Sequence, residues 1–258
     1  MLLSWLRRRR REKILSAPFP AHWQTIVSQR LPQARYLTAQ ERNRWYDELR
    51  IFVAQKNWEG CAGLAVTEEM KVTIAALACY MVLGLEGEPF AGVLSILIYP
   101  SAYLVPEERW HEGWSIQTQS GRWGESWYRG PVILAWDEVD HNTLHPGEGH
   151  NLVWHEFAHQ IDMLDRSTNG TPPLEDPRQR VRWHDVMTEE FRRLRDDARS
   201  GRDTILDSYG AENEAEFFAV VSECFFDRPL ELRGEHPQLY SLLADYYRQD
   251  PAARRDRA

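Results

Sequence analysis

The stretch over residues 151–164 contains no proline or glycine, and at 100° per residue it sorts into two unequal faces. Val153, Trp154, Phe157, Ala158, Ile161 and Leu164 fill a broad apolar arc, while Leu152, His155, His159 and Asp162 share the remaining stripe. A helix with so wide an apolar arc belongs in the interior, so the rest of the chain must fold around it. Asn169-Gly170 and Pro172-Pro173 mark its stop and turn. Two histidines and an aspartate carried into a core need partners there, because buried polar groups cost free energy unless satisfied.

The partner implied is a metal ion. His155-Glu156-Phe157-Ala158-His159 spells HExxH, the motif of zinc-dependent peptidases. Residues four apart on a helix lie on one face, so both imidazoles converge on one point. Glu156 lies about 100° round the helix, poorly placed to join the same ion but able to reach a water held there. Zinc lowers the pKa of such a water to about 7, and a carboxylate can take its proton. The competing reading, two core histidines bonded to backbone, suits a lone histidine better than this pair on a buried helix.

At 258 residues the chain can bury a full core. A formal net charge of -8 argues against nucleic acid as the direct partner. Cys61, Cys79 and Cys224 are too few and too scattered for a disulfide framework or a thiolate metal site, which suits a reducing cytoplasm. No apolar run approaches the roughly 20 residues an integral membrane helix needs. Arg7 to Arg11 follow a very short apolar run, the reverse of a secretory signal, and read as a mobile basic tail. The expected division is a basic tail and irregular lead-in over residues 1–35, then one domain over 36–258.

Helices are expected over 38–55, capped by Thr38 and Glu41, and over 67–83, capped by Thr67. Asp176-Pro177 opens a polar helix to about residue 199, and further helices fall near 212–226 and 236–248. Strands are expected over 93–99 and 130–135, with 123–129 pairing the second as a hairpin. Strands followed by a run of helices indicate an α+β fold, a small mostly antiparallel sheet packed on helices with the HExxH helix central. The strand before that helix is either purely structural or an edge on which an extended peptide could pair.

Catalytic zinc usually has three protein ligands and an open position. His141 and His145 are expected in a loop with no enforced spacing, and His150 at or before the helix start, so all three read as bystanders. The helix near 211–226 is the better source. Glu212, Glu216 and Glu223 share one stripe there, opposite Phe217, Phe218, Val221 and Phe225. Periodicity does not choose among the three, nor between a metal-facing stripe and a solvated one. Asp162 and Glu223 could orient the imidazoles or serve as local ion-pair partners.

The segments 153–162 (VWHEFAHQID), 209–219 (YGAENEAEFFA), 222–226 (SECFF) and 130–137 (GPVILAWD) closely resemble the Mlc titration factor A family of bacterial zinc peptidases. The likeness takes in the 67–83 helix and covers most of the chain beyond about residue 35. The resemblance implies a gluzincin with a zincin-like core and a centre similar to that of anthrax lethal factor, in which a tyrosine precedes the ligand glutamate by seven residues. Tyr209 and Glu216 have that spacing. It therefore implies one zinc ion per chain held by His155, His159 and Glu216, with Glu156 as general base and Tyr209 as a transition-state donor. It also implies aminopeptidase-type cleavage of a peptide substrate, and sequestration of a glucose repressor of the Mlc type, hence a part in regulating glucose uptake. The alternative is a regulatory protein-binding module whose zinc is mainly structural.

Overall fold

The computed structural model describes residues 2–102 and 130–256. The expected strand over 123–129 lies outside the described residues. At the centre is α4 (Glu68–Met81), begun by the Thr67 hydroxyl, which accepts the Met70 amide at 3.2 Å. Every residue from Val72 to Met81 is buried, the pattern of a helix enclosed on all sides. Two indoles lock neighbours onto it. Trp45, on α3 (Ala39–Gln55), donates to the Ala76 carbonyl at 2.9 Å, and Trp154 donates to the Leu77 carbonyl at 3.1 Å. The capping box of Thr38 and Glu41 opens α3 as expected.

The lead-in, expected to be irregular, is helical, and so is the basic tail. They form α1 (Leu2–Leu15) and α2 (Ala21–Arg30), and Pro20 and Pro32 sit at the breaks between helical segments. Trp23 and Val27, four apart on α2, are buried, and the Phe19 ring stacks on Tyr46 at 3.9 Å. Arg11 of α1 pairs with Glu48 at 2.7 Å and also with Glu88. Tertiary partners, rather than local periodicity, make this basic segment a helix.

The sheet is parallel, which corrects the antiparallel expectation. Its order is β1 (Asn57–Gly60), β2 (Ser95–Tyr99), β3 (Val132–Ala135), with Trp58 opposite Ile96 and Ile98 opposite Leu134. The physical reason is connectivity. The run from β1 to β2 contains all of α4, and a helix between adjacent strands returns the chain to the same end, as parallel pairing requires. Four residues reading Asn-Trp-Glu-Gly carry almost no strand pattern, so β1 was invisible and the topology with it.

After β3 the chain turns directly into α5 (Trp136–Leu144), crosses a glycine-containing loop, and enters α6 (Leu152–Asp162). The 24-residue α7 (Pro177–Ser200) exposes a polar face and ends at Gly201 in the left-handed region. Helix α8 (Glu214–Asp227) is followed by α9 (Pro229–Glu235), α10 (Pro237–Tyr247) and α11 (Pro251–Asp256), each begun by a proline. The α6 helix packs most extensively on α8, and also on α4 and β3. Phe157 on its apolar side meets Phe90 edge-on at 4.6 Å. Among the described residues, no helix is long and apolar enough to cross a membrane.

Candidate metal centre

The side chain of Asn151 accepts the Trp154 amide at 3.0 Å and starts α6. The Leu152 amide is taken by Asn142 at 3.0 Å, and the Asn151 amide by Glu223. This N-terminus is thus pinned at the Asn151, Leu152 and Trp154 amides, which fixes the rotation of the helix that carries His155, Glu156 and His159. Opposite, Asn213 caps α8 by accepting the Ala215 and Glu216 amides, both at 3.0 Å. That cap fixes the turn from which Glu216 projects.

The two helices bring three ligand-type atoms together. His155 Nε2 lies 3.0 Å from Glu216 Oε2 and 3.1 Å from His159 Nε2, and His159 Nε2 lies 3.3 Å from the same carboxylate oxygen. Among the described residues this is the one group of three able to hold a metal ion. His155 is fully buried and Glu216 is 3% exposed. Of the two readings left open for the acidic stripe, the solvated one fails at both Glu216 and Glu223, which are buried. Glu212 is exposed and precedes the helix, which begins at Glu214, so it does not join the stripe.

Glu223 faces the other ring nitrogen of His155, Nδ1, at 2.7 Å. A carboxylate only accepts, so Nδ1 carries a proton. Nε2, which faces a carboxylate oxygen and a second imidazole nitrogen, then either carries a second proton or offers its lone pair to a cation. Acceptors so close repel unless a proton or a cation lies between them. Burial opposes charge on His155, yet the Glu223 and Glu216 carboxylates outweigh it and push the ring up to about 10. Burial likewise raises Glu216, but hydrogen bonds from His155 and His159 bring it down to about 2. The field that holds a proton so firmly is one that favours a divalent cation, and two nitrogens with one oxygen match a catalytic metal's donor set.

Around this cluster the remaining candidates separate. Glu156 is buried beside it, and burial pushes its carboxyl up to about 7. Tyr209 stands on a 3-10 turn (Ser208–Ala211) started by Asp207, which accepts the Tyr209 amide at 2.8 Å. Its ring is 6.1 Å from that of His155, and burial with the Glu216 and Glu212 carboxylates keeps its hydroxyl protonated. Asp162 does not orient an imidazole. One of its oxygens accepts the Gly170 amide at 2.9 Å, and the other has no hydrogen-bond partner among the described residues. Gly170 has φ +70°, and a Cβ there would lie 2.1 Å from the Glu214 carbonyl. Only glycine lets this loop press against the first turn of α8.

On this side of the molecule, the parts played by Glu138, His150 and Asp227 were not found from the sequence. His141 stands on α5, not in a loop, and His145 caps that helix; their rings are 4.4 Å apart and outside the metal cluster. His150, read as a bystander, instead bridges Glu138 at 2.8 Å and Glu223 at 3.0 Å. Those two carboxylates push it up to about 10 against the opposing effect of burial. Asp227 accepts the amides of Gly147 and Gly149 at 2.9 and 2.8 Å. Glu138, His150 and Asp227 have no spacing relation in sequence that could have linked them.

The glucose-regulated metallo-peptidase M90 family model matches residues 4–248. The chain belongs to that family. An uncharacterized protein of Synechocystis sp. is 38% identical over 244 residues, covering 94% of this chain and 89% of its own. The Mlc titration factor A of Yersinia pestis is 33% identical over 245 residues, 91% of this chain and 86% of its own, and that of Yersinia pseudotuberculosis gives the same values. The M90 match bears out the resemblance and takes in most of α1 and all of α2. A metallopeptidase family implies a metal, and the largely buried His155, His159 and Glu216 cluster suits one.

Proposed function

We propose that this M90 family member is a zinc-dependent peptidase, with His155, His159 and Glu216 as the three ligands of one ion. The observation that carries this reading is the convergence of two imidazole nitrogens and one carboxylate oxygen within 3.3 Å of one another, with the far nitrogen of His155 already held by Glu223. When bound, zinc lowers the pKa of a water toward 7 and polarises a carbonyl. Glu156 takes the proton of the attacking water and returns it to the leaving amine. A carboxyl near neutrality suits both directions of transfer. The Tyr209 hydroxyl keeps its proton and donates to the oxyanion as it forms. Glu223 holds the His155 ring in the tautomer that leaves Nε2 available.

Aminopeptidase-type cleavage and a gluzincin mechanism are the finer parts of this proposal, supported by the likeness to Mlc titration factor A. The names of those relatives also support an Mlc-type repressor as a protein partner. Three unpaired cysteines favour a cytoplasmic site of action. The deciding experiment is Glu156→Gln, assayed for metal content and for hydrolysis of amino-acid anilides and N-blocked peptides. Zinc should stay near one per chain while hydrolysis falls about 10²–10⁴-fold. Full activity in the variant sinks the general-base role, and cleavage of blocked substrates alone sinks the aminopeptidase assignment. Binding of purified repressor by the inactive variant would separate partner capture from catalysis.

A further inference from the structure

At Glu223 the α8 helix meets α6 and the loop before it, and α5 reaches it through His150. Its Oε1 faces His155 Nδ1 at 2.7 Å, and its Oε2 accepts the Asn151 amide and faces His150 Nδ1 at 3.0 Å. His150 Nε2 in turn faces Glu138 Oε1 at 2.8 Å, on α5. Glu223 is 1% exposed, whereas the His150 side chain is 34% and that of Glu138 26% exposed. A continuous line of hydrogen bonds therefore runs from the half-exposed rim, through a fully buried carboxylate, to a proposed metal ligand. Both nitrogens of His150 meet carboxylate oxygens, which only accept, so both act as donors.

The fold does not need His150 to hold the loop before α6. Asp227 already takes the Gly147 and Gly149 amides, Asn142 takes the Leu152 amide, and Glu223 takes that of Asn151. What His150 adds is a second direction of restraint on Glu223. Without it, Oε2 keeps a single backbone donor and the carboxylate plane can turn away from His155. Its positive charge alone would disfavour a nearby cation, but Glu138 at 2.8 Å offsets that charge. The residual effect is orientation.

On the zinc-peptidase reading above, we infer that Glu138 and His150 are a positioning pair that strengthens metal binding by fixing Glu223 against His155. The test uses the full chain stripped of metal and titrated with zinc against a chromophoric chelator. The variants are Glu138→Gln with His150→Gln (which keeps the local charge balanced), Glu223→Gln, and the triple variant. The paired change should weaken zinc binding about 3–10-fold, less than the 10–100-fold typical of groups that touch a ligand directly. Glu223→Gln should fall within that larger range, and the triple variant should be no weaker than Glu223→Gln, since the pair acts through it. Unchanged or tighter binding by the paired variant overturns the inference. So does a loss that persists in full when Glu223 is already glutamine. A fall of more than about 4 °C in the metal-free Tm of the paired variant would make it a staple of the fold instead. A wild-type chain that binds no zinc is a separate result, and it defeats the zinc-peptidase reading itself.

Discussion

The two ends of α8 carry the same chemistry to different purposes. Glu216 in its first turn, and Glu223 with Asp227 at its other end, are all carboxylates and all buried to within 4% exposure. Opposite Glu223 and Asp227 stand donors: the Asn151, Gly147 and Gly149 amides and the Nδ1 of His155. Those groups are satisfied by the protein alone. Opposite Glu216 stand Nε2 atoms of two histidines, one of them with its other ring nitrogen already held by Glu223. Burial and charge do not distinguish the two ends. What faces each carboxylate does: backbone amides at one end, and at the other two imidazole nitrogens that can exchange a proton for a cation.

That contrast can be broken most decisively at Glu216. Glu216→Ala should abolish stoichiometric zinc and hydrolysis together, read by elemental analysis and an anilide assay, because two imidazoles alone make a poor catalytic site. If Glu223→Ala were instead the metal-free variant, the roles of the two ends would be exchanged. Tyr209→Phe should lower kcat about 10²–10³-fold, the worth of one oxyanion donor, with metal content and KM nearly unchanged. An unaltered kcat would reduce Tyr209 to packing.

Smaller effects sharpen the comparison. Glu223→Ala should keep its zinc but bind it roughly 10–100-fold more weakly, as chelator competition would show. Asp227→Ala should leave zinc affinity near wild type while costing about 1–3 kcal/mol of stability in urea titration, since the buried Gly149 amide loses its acceptor along with that of Gly147. A large loss of affinity there would merge two roles that the geometry separates. Glu212→Ala, at an exposed position outside the helix, should change neither metal content nor stability, and at most shift the preference among peptide substrates.

The sequence was most legible where local chemistry decides the outcome. Thr38 with Glu41 and the Thr67 cap announced α3 and α4, because a cap acts within one turn and needs no distant partner. The HExxH helix was legible for the same reason: its spacing, its apolar arc and its stop all lie within about twenty residues. Other features had no local trace. The strand β1 is four residues of poor strand formers, held by pairing with β2. The lead-in is helical because Trp23, Val27 and Arg11 find partners on other elements. Periodicity over the α8 sequence could align Glu212, Glu216 and Glu223, but a stripe has no knowledge of what packs against it.

By itself, then, the chain determined that a buried helix would carry His155, Glu156 and His159 on a helical spacing fit for a metal. Helical geometry fixes that from residue order alone. Only the tertiary structure decided the rest. The caps at Asn151 and Asn213 and the close approach at Gly170 set the relation of α6 to α8. That relation brings Glu216 within 3.0 Å of His155, sends Glu223 to the far side of the same ring, and draws in His150 and Glu138 from a separate helix and loop. Contacts between residues sixty or more apart depend on how whole elements dock, and docking is set by the packing of the entire core rather than by any spacing along the chain.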